Sequence, residues 1–218
     1  MEIKRTELPG RAAVSKRDQT YERLIPGEPG VVRVKKSGDN STELCRRMFK
    51  EFDVPFESYP KDMDRGVHKK TVYDYAKSKN MPGHQAQHII PIEMATHPVI
   101  IKIGMDMNHP QNGIPLPEPS DTPHALSTHK GYHKIYNDVV KEQLDDIAQR
   151  LGSNASVAEF EKEVYTLQCK LRNALQSGTP MYQKKDGGDG YKDPSKKKDV
   201  WDRGGGATLE LWRRILKK

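Results

Sequence analysis

At 218 residues, with 31% charged and 34% hydrophobic, the chain can hold one sizeable domain with extensions, and its apolar residues must be concentrated in particular segments. It contains no uncharged apolar run of membrane-spanning length, and the opening Met1-Glu2-Ile3-Lys4-Arg5 lacks the apolar stretch of a secretory signal. The net charge of +7 divides into +5 over residues 1–80, −3 over 81–178 and +5 over 179–218, so a nucleic-acid ligand would be gripped by the flanks around a central site, unless the Lys-rich ends serve only solubility. The two cysteines, Cys45 and Cys169, sit in helix-like patterns without paired spacing, which argues against a disulfide framework and for buried thiols in a reducing compartment.

Residues 1–40 are rich in Gly, Pro, Lys and Arg, and their one strand-like run is Val31-Val32-Arg33-Val34; they read as an extension with little core of its own. Leu44, Met48 and Phe52 recur at four-residue spacing after Asn40 and Glu43, which predicts an amphipathic helix over 41–52 opened by a capping box. A second helix is expected over 67–79, ended by the turn-forming Asn80-Met81-Pro82-Gly83. His88-Ile89-Ile90-Pro91-Ile92 then reads as strand, Val99–Ile103 as a buried strand or a short helix, and Asn112-Gly113 as a turn. A stretch dense in Pro, Ser, Asp and Thr up to Ser127 reads as an exposed loop. Apolar residues from Ile135 to Leu151 and from Val157 to Leu175 recur at helical spacing, and the Ser156/Glu159 capping box between them predicts an αα-hairpin. Beyond Ser177 lies a Gly/Lys-rich linker, in which Leu209, Trp212, Ile215 and Leu216 are spaced for a short docking helix.

Seven of the eight histidines fall between residues 84 and 133. His129 and His133, four apart at the opening of a predicted helix, place both imidazoles on one face, where they can share a cation. Lys130 occupies the position that glutamate takes in an H-E-x-x-H protease site, which excludes that chemistry. His88 alone reads as a packed core histidine beside Ile89 and Ile90. Combined with a loop closed by Asn112 and a helix bearing two histidines, it fits a single-metal phosphodiesterase: one imidazole takes a proton from water while a cation absorbs charge on the leaving oxygen. Asn112 would hold the loop through side-chain to backbone hydrogen bonds. His97, His109 and His124 read as solvated loop histidines and His68 as a surface residue.

The blocks "QAQHIIP", "GMDMNHPQNGIPLP" and "THKGYHKIYNDVVKEQLDDI" occur in that order, and together they resemble the AHH nuclease family of the HNH/endonuclease VII superfamily, found as toxin domains in bacterial polymorphic toxin systems. The likeness covers residues 84–150. It implies a ββα-metal nuclease core in a mainly helical α+β protein, with a basic extension at 1–65, a nuclease domain at 66–178 and a basic tail at 179–218. It further implies that His88 is the general base, that Asn112 is the motif asparagine, and that His129 and His133 ligate one divalent ion, which is zinc, magnesium, manganese or nickel. The chain reads Ala86-Gln87-His88 rather than Ala-His-His, so the third ligand is either Gln87, a weaker oxygen donor, or His84. The expected activity is endonucleolytic cleavage of DNA, with RNA as a further substrate to test. An effector of this kind is made in the bacterial cytoplasm with an immunity protein, exported by a dedicated secretion system, and active in the target-cell cytoplasm. A housekeeping or phage nuclease, or a non-catalytic nucleic-acid-binding module with a degenerate site, are the alternatives.

Overall fold

A computed structural model describes residues 27–34, 40–51, 80–118, 126–129, 133–181 and 206–217. The helix expected over 67–79, most of the loop before Ser127, His68, His124 and the Gly/Lys-rich linker lie outside these residues.

Helix α1, Asn40–Glu51, buries Leu44, Cys45 and Met48 and packs them with Met81 and Ala86. Asn40 is its first helical residue rather than its cap, and the Asn40 Oδ1 atom accepts a hydrogen bond from Asn108 Nδ2 at 2.9 Å. The sheet that α1 covers has two antiparallel strands, β1 (His84–His88) and β2 (Gly113–Pro117), with His88 opposite Gly113 and His84 opposite Pro117.

The strand predicted to begin at His88 instead ends there. Pro91 has no N–H to give a ladder and opens a 3₁₀ turn, Ile92–Thr96. Ile89 and Ile90, both wholly buried, turn into the core rather than alternating along a sheet. The Val99–Ile103 run forms a helix, α2 (Pro98–Ile103): Pro98 stands at its first position, His97 Nδ1 accepts from Val99 N, and Gly104 closes it at φ 65°. A Cβ on Gly104 would lie 1.4 Å from Glu28 O, because the 27–34 segment crosses there and Glu28 N donates to Gly104 O at 3.0 Å. This segment buries Val32 and Val34 in the main cluster. After α2, a 3₁₀ turn at Pro110–Asn112 leads directly into β2.

The other face of the sheet is covered by helices. Helix α3 (Lys134–Leu151) and helix α4 (Val157–Gln176) form the predicted hairpin, and both halves of the Ser156/Glu159 capping box are present. Ile114 and Leu116 of β2 share their cluster with Val139, Val140, Leu144, Val164 and Leu171. The terminal helix α5 (Leu209–Leu216) docks against α3 and α4. Its Trp212 is fully buried, donates Nε1–H to Pro180 O at 2.8 Å, and meets the Tyr136 ring edge-on at 5.0 Å. The chain is therefore α+β and mainly helical, with a hairpin-plus-helix unit formed by β1, β2 and α3.

Candidate active site

The 24 residues between β1 and β2, positions 89 to 112, would be a loose connection without polar anchors. Asn112, 1% exposed, supplies them. Its Oδ1 accepts from Ile90 N at 2.8 Å and from Gln168 Nε2 at 3.1 Å, while its Nδ2 donates to Ile90 O and Met107 O, both at 3.0 Å. Its backbone O accepts from Ile89 N at 2.8 Å. Three of these bonds, those to Ile89 and Ile90, join the loop's two ends directly behind His88.

His88 itself is 7% exposed, and burial holds its imidazole below the ordinary histidine range. At neutral pH it is therefore uncharged, the form that accepts a proton. Nε2 lies 2.9 Å from Asn108 Oδ1, and Asn108 Nδ2 in turn donates to Asn40. A carboxamide oxygen can only accept, so Nε2 carries the hydrogen and Nδ1 keeps the lone pair.

The His129–His133 pair forms, although not on a helical face. Helix α3 begins at Lys134 with His133 as its N-terminal cap, and the two rings meet edge-on with centroids 5.0 Å apart. Nε2 of His133 is buried and makes no hydrogen bond among the described residues, while the ring itself is engaged by His129. Two contacts fix this segment along the hairpin. His129 N donates to Pro117 O at 2.8 Å, at the His84 end of the sheet. Tyr136 Oη donates to Ile89 O at 2.5 Å, at the His88 end. His129 and Tyr136 therefore meet opposite ends of β1, which is about 13 Å long at a strand's rise per residue.

Strand alternation separates the two candidates for a third ligand. His84, Ala86 and His88 share one face, and Ala86 packs under α1. Gln87 shares the opposite face with its register partner Ile114, on the side covered by α3 and α4. The Gln87 Nε2 atom turns back to His88 O at 2.8 Å, and His84 Nδ1 lies 3.1 Å from Pro82 O. Among the described residues no three His, Cys, Asp or Glu side chains converge into a group that could hold a metal ion.

Two histidines expected to be solvated are structural. His97, 8% exposed, caps α2 through Nδ1, and its Nε2 lies 2.9 Å from Asp145 Oδ1 on α3. His109 caps the 3₁₀ turn that ends at Asn112, its Nδ1 accepting from Gln111 N at 3.2 Å. Asn108 is the residue that sequence reasoning missed.

Residues 68–172 match the sequence model of AHH, a nuclease family of the HNH/ENDO VII superfamily with conserved AHH. The match extends on both sides beyond 84–150, taking in most of α4, and it makes the activity a hydrolytic, endonucleolytic one on nucleic acid. No curated protein and no solved structure matches the chain.

Proposed function

We propose, from the premise that residues 68–172 form a nuclease domain of the AHH family, that the chain cuts DNA by a metal-assisted hydrolysis in which His88 activates the attacking water. The observation that carries this reading is the buried His88 at the end of β1, with one nitrogen held by Asn108 and the adjoining loop clamped by Asn112.

The proton passes from water to His88 Nδ1 as the water oxygen bonds to phosphorus and the P–O3′ bond breaks. Asn112 keeps Ile89 and Ile90 fixed so that the imidazole does not drift during this transfer. Tyr136 ties the same turn to α3, which carries His133.

The donor set fits a cation. HNH/ENDO VII nucleases generally use a divalent metal, and two imidazoles 5.0 Å apart centre to centre can serve as neighbouring nitrogen ligands. His129 and His133 would hold the ion, with water, phosphate or the Gln87 carbonyl filling the other positions. A bound divalent ion supplies electrostatic stabilisation of the leaving oxygen. Two imidazole nitrogen donors favour zinc, nickel or manganese over magnesium.

The biological role that suits such a nuclease is an antibacterial effector, restrained by an immunity protein in the producer and delivered by a secretion system. Incubating the pure full-length chain with plasmid DNA and with RNA, metal by metal, tests the chemistry. Cleavage that EDTA abolishes and that His88→Ala lowers about 10²- to 10⁴-fold, the usual contribution of a general base, is the expected result. Parent-level cutting by that variant removes His88 from the mechanism. Induction in bacteria, with growth arrest and chromosome fragmentation, tests the effector role. A second reading, a binding module in which Gln87 marks a degenerate site, would shift a DNA band without cutting it under every ion.

A further inference from the structure

We propose that helix α1, which precedes the stretch matching the family, is a positioning element of the active site: Asn40 and Arg47 hold Asn108 so that its carboxamide oxygen faces His88 Nε2–H, leaving Nδ1 as the proton acceptor. The inference rests on the reading of His88 as the base and extends it to residues that no family likeness reaches, since α1 is Asn40–Glu51 and the match begins at residue 68.

Two independent bonds converge on Asn108, itself 3% exposed. Its Nδ2 donates to Asn40 Oδ1 at 2.9 Å. Its backbone N donates to Asp106 Oδ1 at 3.2 Å, and Asp106, 6% exposed, receives both arms of the Arg47 guanidinium at 2.9 and 2.7 Å. Such a planar two-point pair fixes orientation as well as position. One residue of α1 thus sets the side chain of Asn108, and another, through Asp106, sets its backbone.

The consequence lies in the tautomer of His88. An asparagine carboxamide presents an acceptor on one side and donors on the other, and the two are nearly identical in shape. If Asn108 turned over, its NH₂ would face Nε2, Nε2 would become the acceptor, and the ring hydrogen would move to Nδ1. A base with its lone pair buried against an amide cannot take a proton from water. What opposes the reversal is an acceptor on the far side of Asn108, the part that Asn40 Oδ1 plays. Arg47 is neutralised by Asp106 in this arrangement, so its role here is orientation rather than attraction of phosphate.

The test uses the full chain. Asn40→Leu removes the acceptor on a half-buried helix residue, whereas Asn40→Asp keeps an acceptor and excludes a donor. Expected is a kcat loss of about 10- to 100-fold for Asn40→Leu with KM unchanged, the scale seen when a supporting partner of a reacting group is removed. Asn40→Asp should remain within a few-fold of the parent by the same logic. Imidazole ¹⁵N spectra should show Nε2–H at His88 in the parent and Asn40→Asp, and a mixture with Nδ1–H in Asn40→Leu. Arg47→Gln, which frees Asp106 and with it the Asn108 backbone, should lower kcat in the same direction with KM unchanged, and serves if Asn40→Leu does not fold. Unchanged kcat and tautomer in Asn40→Leu, or unchanged kcat in Arg47→Gln in its place, overturn the proposal, as does a comparable loss or a tautomer mixture in Asn40→Asp. His88→Ala separates the two levels. If it is inert while Asn40→Leu behaves as the parent, the base stands and the role of α1 falls; if it cuts normally, both fall.

Discussion

The two sides of the β1–β2 hairpin are held by different forces. On the helical side, Leu144, Val164, Leu171 and Trp212 are at most 0% exposed and belong to one apolar cluster; their attraction is non-directional and scales with area. On the side of the loop and α1, the buried residues include His88, Asp106, Asn108 and Asn112, none more than 7% exposed, and each of them is hydrogen-bonded. A hydrogen bond is strict about angle and costly to leave unmade. The helical side is a support that tolerates shifts of a few tenths of an ångström, whereas the loop is the part where position matters. They meet at Tyr136, whose ring packs on Trp212 and whose hydroxyl holds Ile89 O.

Two substitutions of similar cost to folding should therefore part company in activity. Trp212→Ala leaves a cavity beside Tyr136 and forfeits the bond to Pro180 O, with an expected loss of about 3–5 kcal/mol in chemical denaturation. Cleavage at a temperature where the variant stays folded should remain near the parent's, because Tyr136 keeps its hydroxyl anchor. Asn112→Asp is somewhat milder for stability, about 2–4 kcal/mol, since a carboxylate can accept from Ile90 N but cannot donate to Ile90 O and Met107 O. Its cleavage should nevertheless fall well below that of Trp212→Ala, as the turn carrying His88 slackens. Equal activity in the two folded variants, measured at matched fraction folded, erases the proposed division between support and site.

That division also explains what the sequence could reveal. Helices α1, α3 and α4 leave apolar residues at three- and four-residue spacing, a direct record of which side is buried, and Ser156 with Glu159 marks the start of α4. Strand β1 leaves no such record. Its sequence His-Gln-Ala-Gln-His is polar although its last three residues are buried, because α1 covers one face and the helical core the other. The apolar run after it drew the strand reading, while Pro91 turned that run into the core. The blocks around His88, Asn112 and His129–His133 were visible as chemistry because the residue types are unusual together. Asn108 was not, since an asparagine in a loop is ordinary and its partner Asn40 lies 68 residues away. The histidine pair was placed on a helix face, but the helix starts one residue later, with His133 as its cap.

The smallest effect should come from the far end of the hairpin, where a local bond of the kind sequence reads well has no route to the base. Ser156 Oγ accepts from Glu159 N at 3.3 Å, and the Glu159 carboxylate reaches back to Ser156 N at 2.7 Å. Ser156→Ala removes the first of these bonds and leaves the second able to form, so the cost should be about 1 kcal/mol, the usual value for an N-terminal cap. Residue 156 opens α4, whereas the α4 residue that touches the loop anchor is Gln168, three turns further on. The cleavage rate should thus equal the parent's at any temperature where both are folded. A variant whose denaturation midpoint moves this little but whose rate drops tenfold would mean that α4 transmits its N-terminal geometry to Asn112, and the helical side could no longer be treated as a passive support.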